Sequence, residues 1–240
     1  MSFLSNLFGS KPAEPVYTTD ELNINGKTLK LTFFAHASVA MEYEGRHIYI
    51  DPVMENAAYD KLPKADMILV THSHYDHFDM AAIEALQTPD TRILLDKTSA
   101  EGFQGDCYTM LPGATAEPFA DIKVMAVAAY NTSEHQLQFH PKEREDCGYI
   151  VVLDNAVSIY FSGDTEPTPE LRALKGIDIA FVCVNQPYTM TPEQAVEAVK
   201  ALKPQIYYPY HYGQVDEPTD VEALARMLDG ECDVRIRELA

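Results

Sequence analysis

Three histidines and an aspartate, His72, His74, Asp76 and His77, fall within six positions directly behind the apolar run Met67-Ile68-Leu69-Val70. Neutral imidazoles and carboxylates are ligands suited to zinc and neighbouring first-row ions. Neither a packed core nor a solvated face calls for four such groups this close together. His72 and His74 alternate by two, as on an extended turn where both rings face one ion. The adjacent Asp76 and His77 can reach a second. The spacing therefore predicts a site for two divalent cations, and a pair of cations lowers the pKa of a bound water from 15.7 towards about 7, which supplies hydroxide at neutral pH.

The hexapeptide His-x-His-x-Asp-His at the end of a buried strand resembles the signature of the metallo-β-lactamase superfamily. Within it, the chain looks most like the metal-dependent hydrolases related to the ascorbate-phosphate lactonases. The resemblance implies an α/β fold, a four-layer αββα sandwich with the metals at one edge between its sheets. It also implies a later histidine, an aspartate and a closing histidine. Ser162-Gly163-Asp164-Thr165 matches the position whose aspartate bridges both metals, and Pro209-Tyr210-His211-Tyr212-Gly213 matches the closing ligand. Where many relatives carry the remaining histidine this chain has Tyr130-Asn131, which leaves His135 and His140 as candidates. His140 is favoured because Phe139-His140-Pro141-Lys142 resembles a motif of this branch, with His135 or water as the fallback.

By that resemblance one ion is held by His72, His74 and His140 and the other by Asp76, His77 and His211, with Asp164 bridging. Zinc is the first expectation, and a carboxylate-bridged site also suits manganese or iron. Asp76 is expected both to bind metal and to orient the attacking hydroxide. His36, Asn131, Lys142 and Tyr188 are expected to line the substrate pocket. The activity implied is hydrolysis of a small polar or anionic metabolite, a lactone, ester or phosphoester. The rivals are a phosphodiesterase or nuclease with the same metals and a noncatalytic metal-binding protein.

The elements that must position these residues are legible as a pattern. Leu29, Leu31 and Phe33 alternate as on a half-buried strand, and Val39–Tyr43, Glu44-Gly45 and His47–Ile50 read as a hairpin. His47, mid-hairpin, reads as structural. Met67–Val70 is apolar throughout, as expected of a strand covered on both faces. Asp79 is placed to cap a helix over residues 80–86, and Thr191-Pro192 to open another that ends at Leu202. Thr91–Leu95, Cys107–Met110, Ile122–Ala128, Gly148–Leu153, Val157–Phe161, Ile177–Val184, Gln205–Tyr208 and a last strand from Val234 supply further strands. A short helix from Ser99 and an acidic one over residues 219–228 complete the pattern.

At 240 residues, 46% hydrophobic, the chain fits one large domain, expected over residues 29–240, with residues 1–28 packed on or extending from its body. The formal charge of −19 disfavours nucleic-acid partners, because that binding begins with a basic patch displacing counterions. Two divalent ions restore only about four positive charges. No stretch approaches the roughly 18 apolar residues of a membrane span. The four dispersed cysteines, without a C-x-x-C, fit a reducing compartment, and the chain is expected to be cytoplasmic. The start, residues 1–8, lacks the pattern of a secretory signal and reads as an amphipathic turn that packs on the body or mediates self-association.

Overall fold

A computed structural model describes residues 16–213 and 218–239. Two seven-stranded sheets face each other. The first carries β1 (Thr18–Ile24), β2 (Lys27–Ala35), β3 (Ser38–Tyr43), β4 (Arg46–Ile50), β5 (Met67–Val70), β6 (Arg92–Asp96) and β7 (Tyr108–Met110) in sequential order. The second carries β8 (Thr115–Phe119), β9 (Ile122–Ala128), β10 (Cys147–Leu153), β11 (Val157–Phe161), β12 (Ile179–Cys183), β13 (Ile206–Tyr210) and β14 (Asp233–Val234), again in order. In each sheet the first four strands pair antiparallel and the remaining three join in parallel.

The strand expected to open the fold at Leu29 is the second strand. β1 precedes it and pairs along its whole length, from Thr18 opposite Phe33 to Ile24 opposite Lys27. Its sequence, Thr-Thr-Asp-Glu-Leu-Asn-Ile, carries too few apolar residues to be read as a strand, and it sits half exposed at the sheet edge, where charges discourage pairing with other chains. β8 and the short helix α3 (Pro169–Ala173) also went unread. The first eight residues lie outside the described ones.

Alternation builds the layers. Met67 and Leu69 point into the core between the sheets, while Ile68 and Val70 face outward beneath α1 (Met80–Leu86). That explains the uninterrupted apolar run of β5. α1 buries Ala82, Ile83 and Leu86, and its N-cap Asp79 accepts from the Ala81 N–H. α2 (Lys97–Gly102) follows β6, its first turn capped by Asp96. On the far side α4 (Pro192–Leu202) buries Ala195, Ala198, Val199 and Leu202 against the second sheet. A Thr191/Gln194 capping box fixes its start. α5 (Val221–Met227) packs against α4. Between the sheets, Phe33 meets Tyr208 and Phe181 at centroid distances of 5.1 and 6.2 Å. The result is the expected α/β architecture of two sheets flanked by helices. Among the described residues no helix is long and apolar enough to cross a membrane.

Candidate metal centre

The histidine-rich turn begins where β5 ends, and Asp51, at the end of the neighbouring β4, fixes it. The fully buried Asp51 carboxylate accepts from the Thr71 N–H and the Thr71 hydroxyl, each at 2.7 Å, and lies 2.8 Å from His77 Nδ1. The opposing sheet holds the same turn, since Cys147 N–H donates to the Thr71 carbonyl (3.0 Å) and Tyr149 Oη to that of Val70 (2.8 Å). Gly163, before Asp164, has φ +61°, and a Cβ there would lie 2.9 Å from the Cys147 carbonyl oxygen and 3.1 Å from Thr71 Cβ. Only glycine fits this crossing of chains.

Three overlapping sets of ligand atoms converge, each within 4.8 Å: His72, His74 and His140; His72, His77 and Asp164; and His36, Asp76, His77 and His211. Asp164 stands between them. Its Oδ2 is 3.3 Å from His140 Nε2, 3.2 Å from His211 Nε2 and 3.9 Å from His72 Nε2, and its Oδ1 is 3.3 Å from His77 Nε2. Asp76 Oδ2 lies 3.1 Å from His36 Nε2 and 3.6 Å from His211 Nε2. Several of these atoms are buried without a hydrogen-bond partner, among them His77 Nε2, His211 Nε2 and Asp164 Oδ1. Buried, unpartnered and aimed at one another, they fit the demand of a divalent cation for imidazole and carboxylate ligands.

Each set combines rings of lowered and of raised pKa. Burial and neighbouring rings press His72 well below the ordinary histidine range and bring His36 and His74 to about 4, so these rings offer free lone pairs at neutral pH. Burial opposes protonation of His77, His140 and His211 as well, but Asp164 with Asp51, Asp146 or Asp76 raises all three. Asp164 and Asp76 are desolvated, yet the surrounding histidines hold both carboxyls ionised, well below the carboxylate range.

The rings are also held from behind, as ligating histidines require. Asn185 places its amide 2.9 Å from His211 Nδ1 and Arg144 donates to His74 Nε2 at 2.8 Å, while the Asp146 carboxylate lies near His140 Nδ1 at 3.7 Å, beyond hydrogen-bond reach. Sequence reading named none of these, nor Asp51, as supports. The only signal for Asp51 was its place at a strand end, the same signal that marks Asp164.

His36, expected beside the pocket, belongs to one of the ligand sets as well. Tyr188 lines the cavity above the cluster. Of the two loop histidines, His140 joins the cluster, whereas His135 is exposed and outside it. Asn131 and Lys142 do not line the cavity. Asn131 is buried and donates to the Gln136 and Tyr188 carbonyls, which fixes the loop. Lys142 points away to Tyr130 and Glu170 and lines a separate hollow over β9. Pro141 and the short 3-10 turn after it, Lys142–Arg144, carry the lysine outward while His140 turns inward.

The family model described as beta-lactamase superfamily domain matches residues 30–211. The chain belongs to this superfamily. It is 42% identical to a solved structure from Parabacteroides distasonis assigned to the metal-dependent hydrolases, covering 94% of this chain and 100% of that one with a TM-score of 0.88. The structure of the metallo hydrolase Igni18 from Ignicoccus hospitalis is 25% identical, with a TM-score of 0.71 over 88% of this chain and 96% of that one. A UPF0173 metal-dependent hydrolase of Koribacter versatilis is 29% identical over 84% of this chain and 93% of its own. The protein is thus a metal-dependent hydrolase with the metallo-β-lactamase fold.

Proposed function

We propose that the protein hydrolyses an ester, lactone or phosphoester bond of a small molecule, using two divalent cations, zinc first and manganese or iron as alternatives. The observation that carries this reading is Asp164, whose two oxygens reach histidines of all three converging sets. His72, His74 and His140 would hold one cation, and Asp76, His77 and His211, with His36 beside them, the other. When bound, the pair supplies an activated water and polarises the scissile carbonyl or phosphoryl group.

The chain's own residues do the rest. Asp76, facing the cavity and held ionised, accepts a hydrogen bond from the attacking water and orients it. In this reading Asp76 positions the water and does not keep its proton. Water adds across the bond. Its hydroxyl ends on the acyl carbon or phosphorus, and its proton ends on the departing oxygen. Asn185 lines the same cavity and holds the His211 ring in place.

The cavity holds about 280 Å³, room for a small molecule. A net charge of −19 opposes a long polyanion over the rest of the surface. The four thiols are unpaired, which agrees with a reducing, cytoplasmic setting. The deciding experiment loads the purified protein with each metal and offers a panel of small esters, lactones and phosphodiesters beside structured RNA and duplex DNA. Metal-dependent turnover confined to the small molecules is expected. Efficient cleavage of the nucleic acids with the small panel untouched would overturn it.

A further inference from the structure

We infer that the substrate carries no negative charge on the side away from the bond that is cut, and presents there a flat apolar group seated against Phe139 and Tyr188. This rests on the hydrolase reading above and goes further, to what the cavity selects.

The floor of the cavity is the histidine and aspartate cluster, and its walls are Tyr75, Phe139, Tyr188 and Asn185. None of the ten lining residues is a lysine or arginine. The two cations nearest in sequence to His140 are engaged elsewhere. Lys142 points away to Tyr130 and Glu170. Arg144 is spent on Asp146 (3.1 Å), Ser73 Oγ (3.2 Å) and the rear of the His74 ring. No lysine or arginine of the cavity wall is therefore available to pair with a negative charge on the distal part of a bound substrate.

An anionic distal group would lose its hydration without a partner, which is costly. An aromatic or other flat apolar group loses nothing and gains contact with rings. Phe139 and Tyr188 meet edge to face, with centroids 4.9 Å apart, and form a ready wall. Tyr188 is 40% exposed and Tyr75 84% exposed, so aromatic surface stands open at the mouth. Exposed aromatic surface at a concave site marks a place for a ligand. The polar groups of the wall residues are all neutral, the Asn185 amide and the Tyr75 and Tyr188 hydroxyls.

The test compares phenyl acetate with 4-acetoxybenzenesulfonate on the metal-loaded protein. The sulfonate is a poor ligand for divalent cations, so it reports on the cavity wall, and the rates of the two esters in water are divided out. At least tenfold higher kcat/KM is expected for the neutral ester, carried mainly by KM, and the ratio should shrink severalfold in the Phe139→Ala and Tyr188→Ala variants. Calorimetric binding of the corresponding non-reactive amides, acetanilide and 4-acetamidobenzenesulfonate, should follow the same order. If neither ester is turned over while acetanilide still binds at least tenfold more tightly than its sulfonate, ester hydrolysis fails and the inference about the cavity stands. Preference for the sulfonate, a preference unchanged in both aromatic variants, or binding of neither amide together with no turnover overturns the inference.

Discussion

The backbone N–H of His211 donates to the carbonyl oxygen of His36 at 3.0 Å, and the centroids of their imidazole rings are 3.7 Å apart. This hydrogen bond joins the end of β13 in one sheet to the end of β2 in the other. Both residues are held at positive φ, 56° for His36 and 52° for His211, a conformation that costs about 1–3 kcal/mol at a residue other than glycine and persists where surrounding contacts dictate it. The crossing thus presents both rings to Asp76.

Because of that placement, His36→Ala should weaken the hold on the cation at Asp76, His77 and His211 by roughly tenfold or more, the range seen for groups that ligate or orient ligands. Competition with a chelator of known affinity measures it. An unchanged affinity would make His36 a packing residue only.

Removing the shared carboxylate has the larger consequence. Asp164→Ala should abolish stable binding of a cation pair, because two cations would face each other without the anion between them. His140→Ala should lose one cation, and His135→Ala, exposed and outside the cluster, should keep both. Elemental analysis after gentle purification reads all three. Loss of a cation in the His135 variant with His140→Ala intact would reverse the assignment.

Asp51 touches no proposed substrate or cation, yet it accepts from Thr71 twice and orients His77. Asp51→Asn keeps the shape and weakens that anchor. Metal affinity should fall about 10–100-fold while the far-ultraviolet circular dichroism stays that of the parent. A variant with full affinity would reduce Asp51 to a turn residue.

Gly163→Ala tests the crossing directly. The added methyl meets the Cys147 carbonyl and Thr71, and the backbone is at φ +61°, so about 1–3 kcal/mol of stability should be lost in thermal or urea unfolding. Metal content should fall with it, since Asp164 is the next residue. Parent-like stability would show that the loops relax freely.

Metal loading should release protons. His77, His140 and His211 have raised pKa values in the metal-free protein, so they retain protons that a cation must displace. His36 and His74, at about 4, and His72, lower than the ordinary range, contribute none near neutrality. Apparent affinity should therefore climb as pH rises through and above 6.5, the ordinary histidine value. Calorimetry in buffers of different ionisation enthalpy counts the protons. Affinity independent of pH between 6 and 8, on the order of the histidine range, would contradict the charges assigned here.

The cluster His72 to His77 announced itself because its chemistry is local, four ligands of two types on one turn. Asp164 and His211 are single residues in ordinary surroundings, legible only through a family pattern that orders them along the chain. His140 was harder still, since its loop offers two histidines and only folding turns one inward. Lys142 was misplaced for the same reason: two residues past His140, it faces the opposite side of the loop. Asp51, Asn185 and Arg144 act through space, across 20 or more positions from the rings they support, and no local spacing encodes such contacts. In the fold, the buried strands were readable from apolar runs and turns. β1 was not, because an edge strand with one solvated face and acidic residues has the composition of a loop.

The two sheets repeat one plan, three antiparallel pairings followed by three parallel ones, and residues 111–114 join the repeats. Asp51 and Asp164 follow the fourth strand of each repeat, so the same address is used once to anchor a turn and once to sit among the ligands. The clustered residues divide unevenly, with His36, His72, His74, Asp76 and His77 from the first repeat and His140, Asp164 and His211 from the second. No half-chain owns a complete set. A cation held there would be a rivet through a seam, and the site belongs to the joint between two similar pieces rather than to either piece.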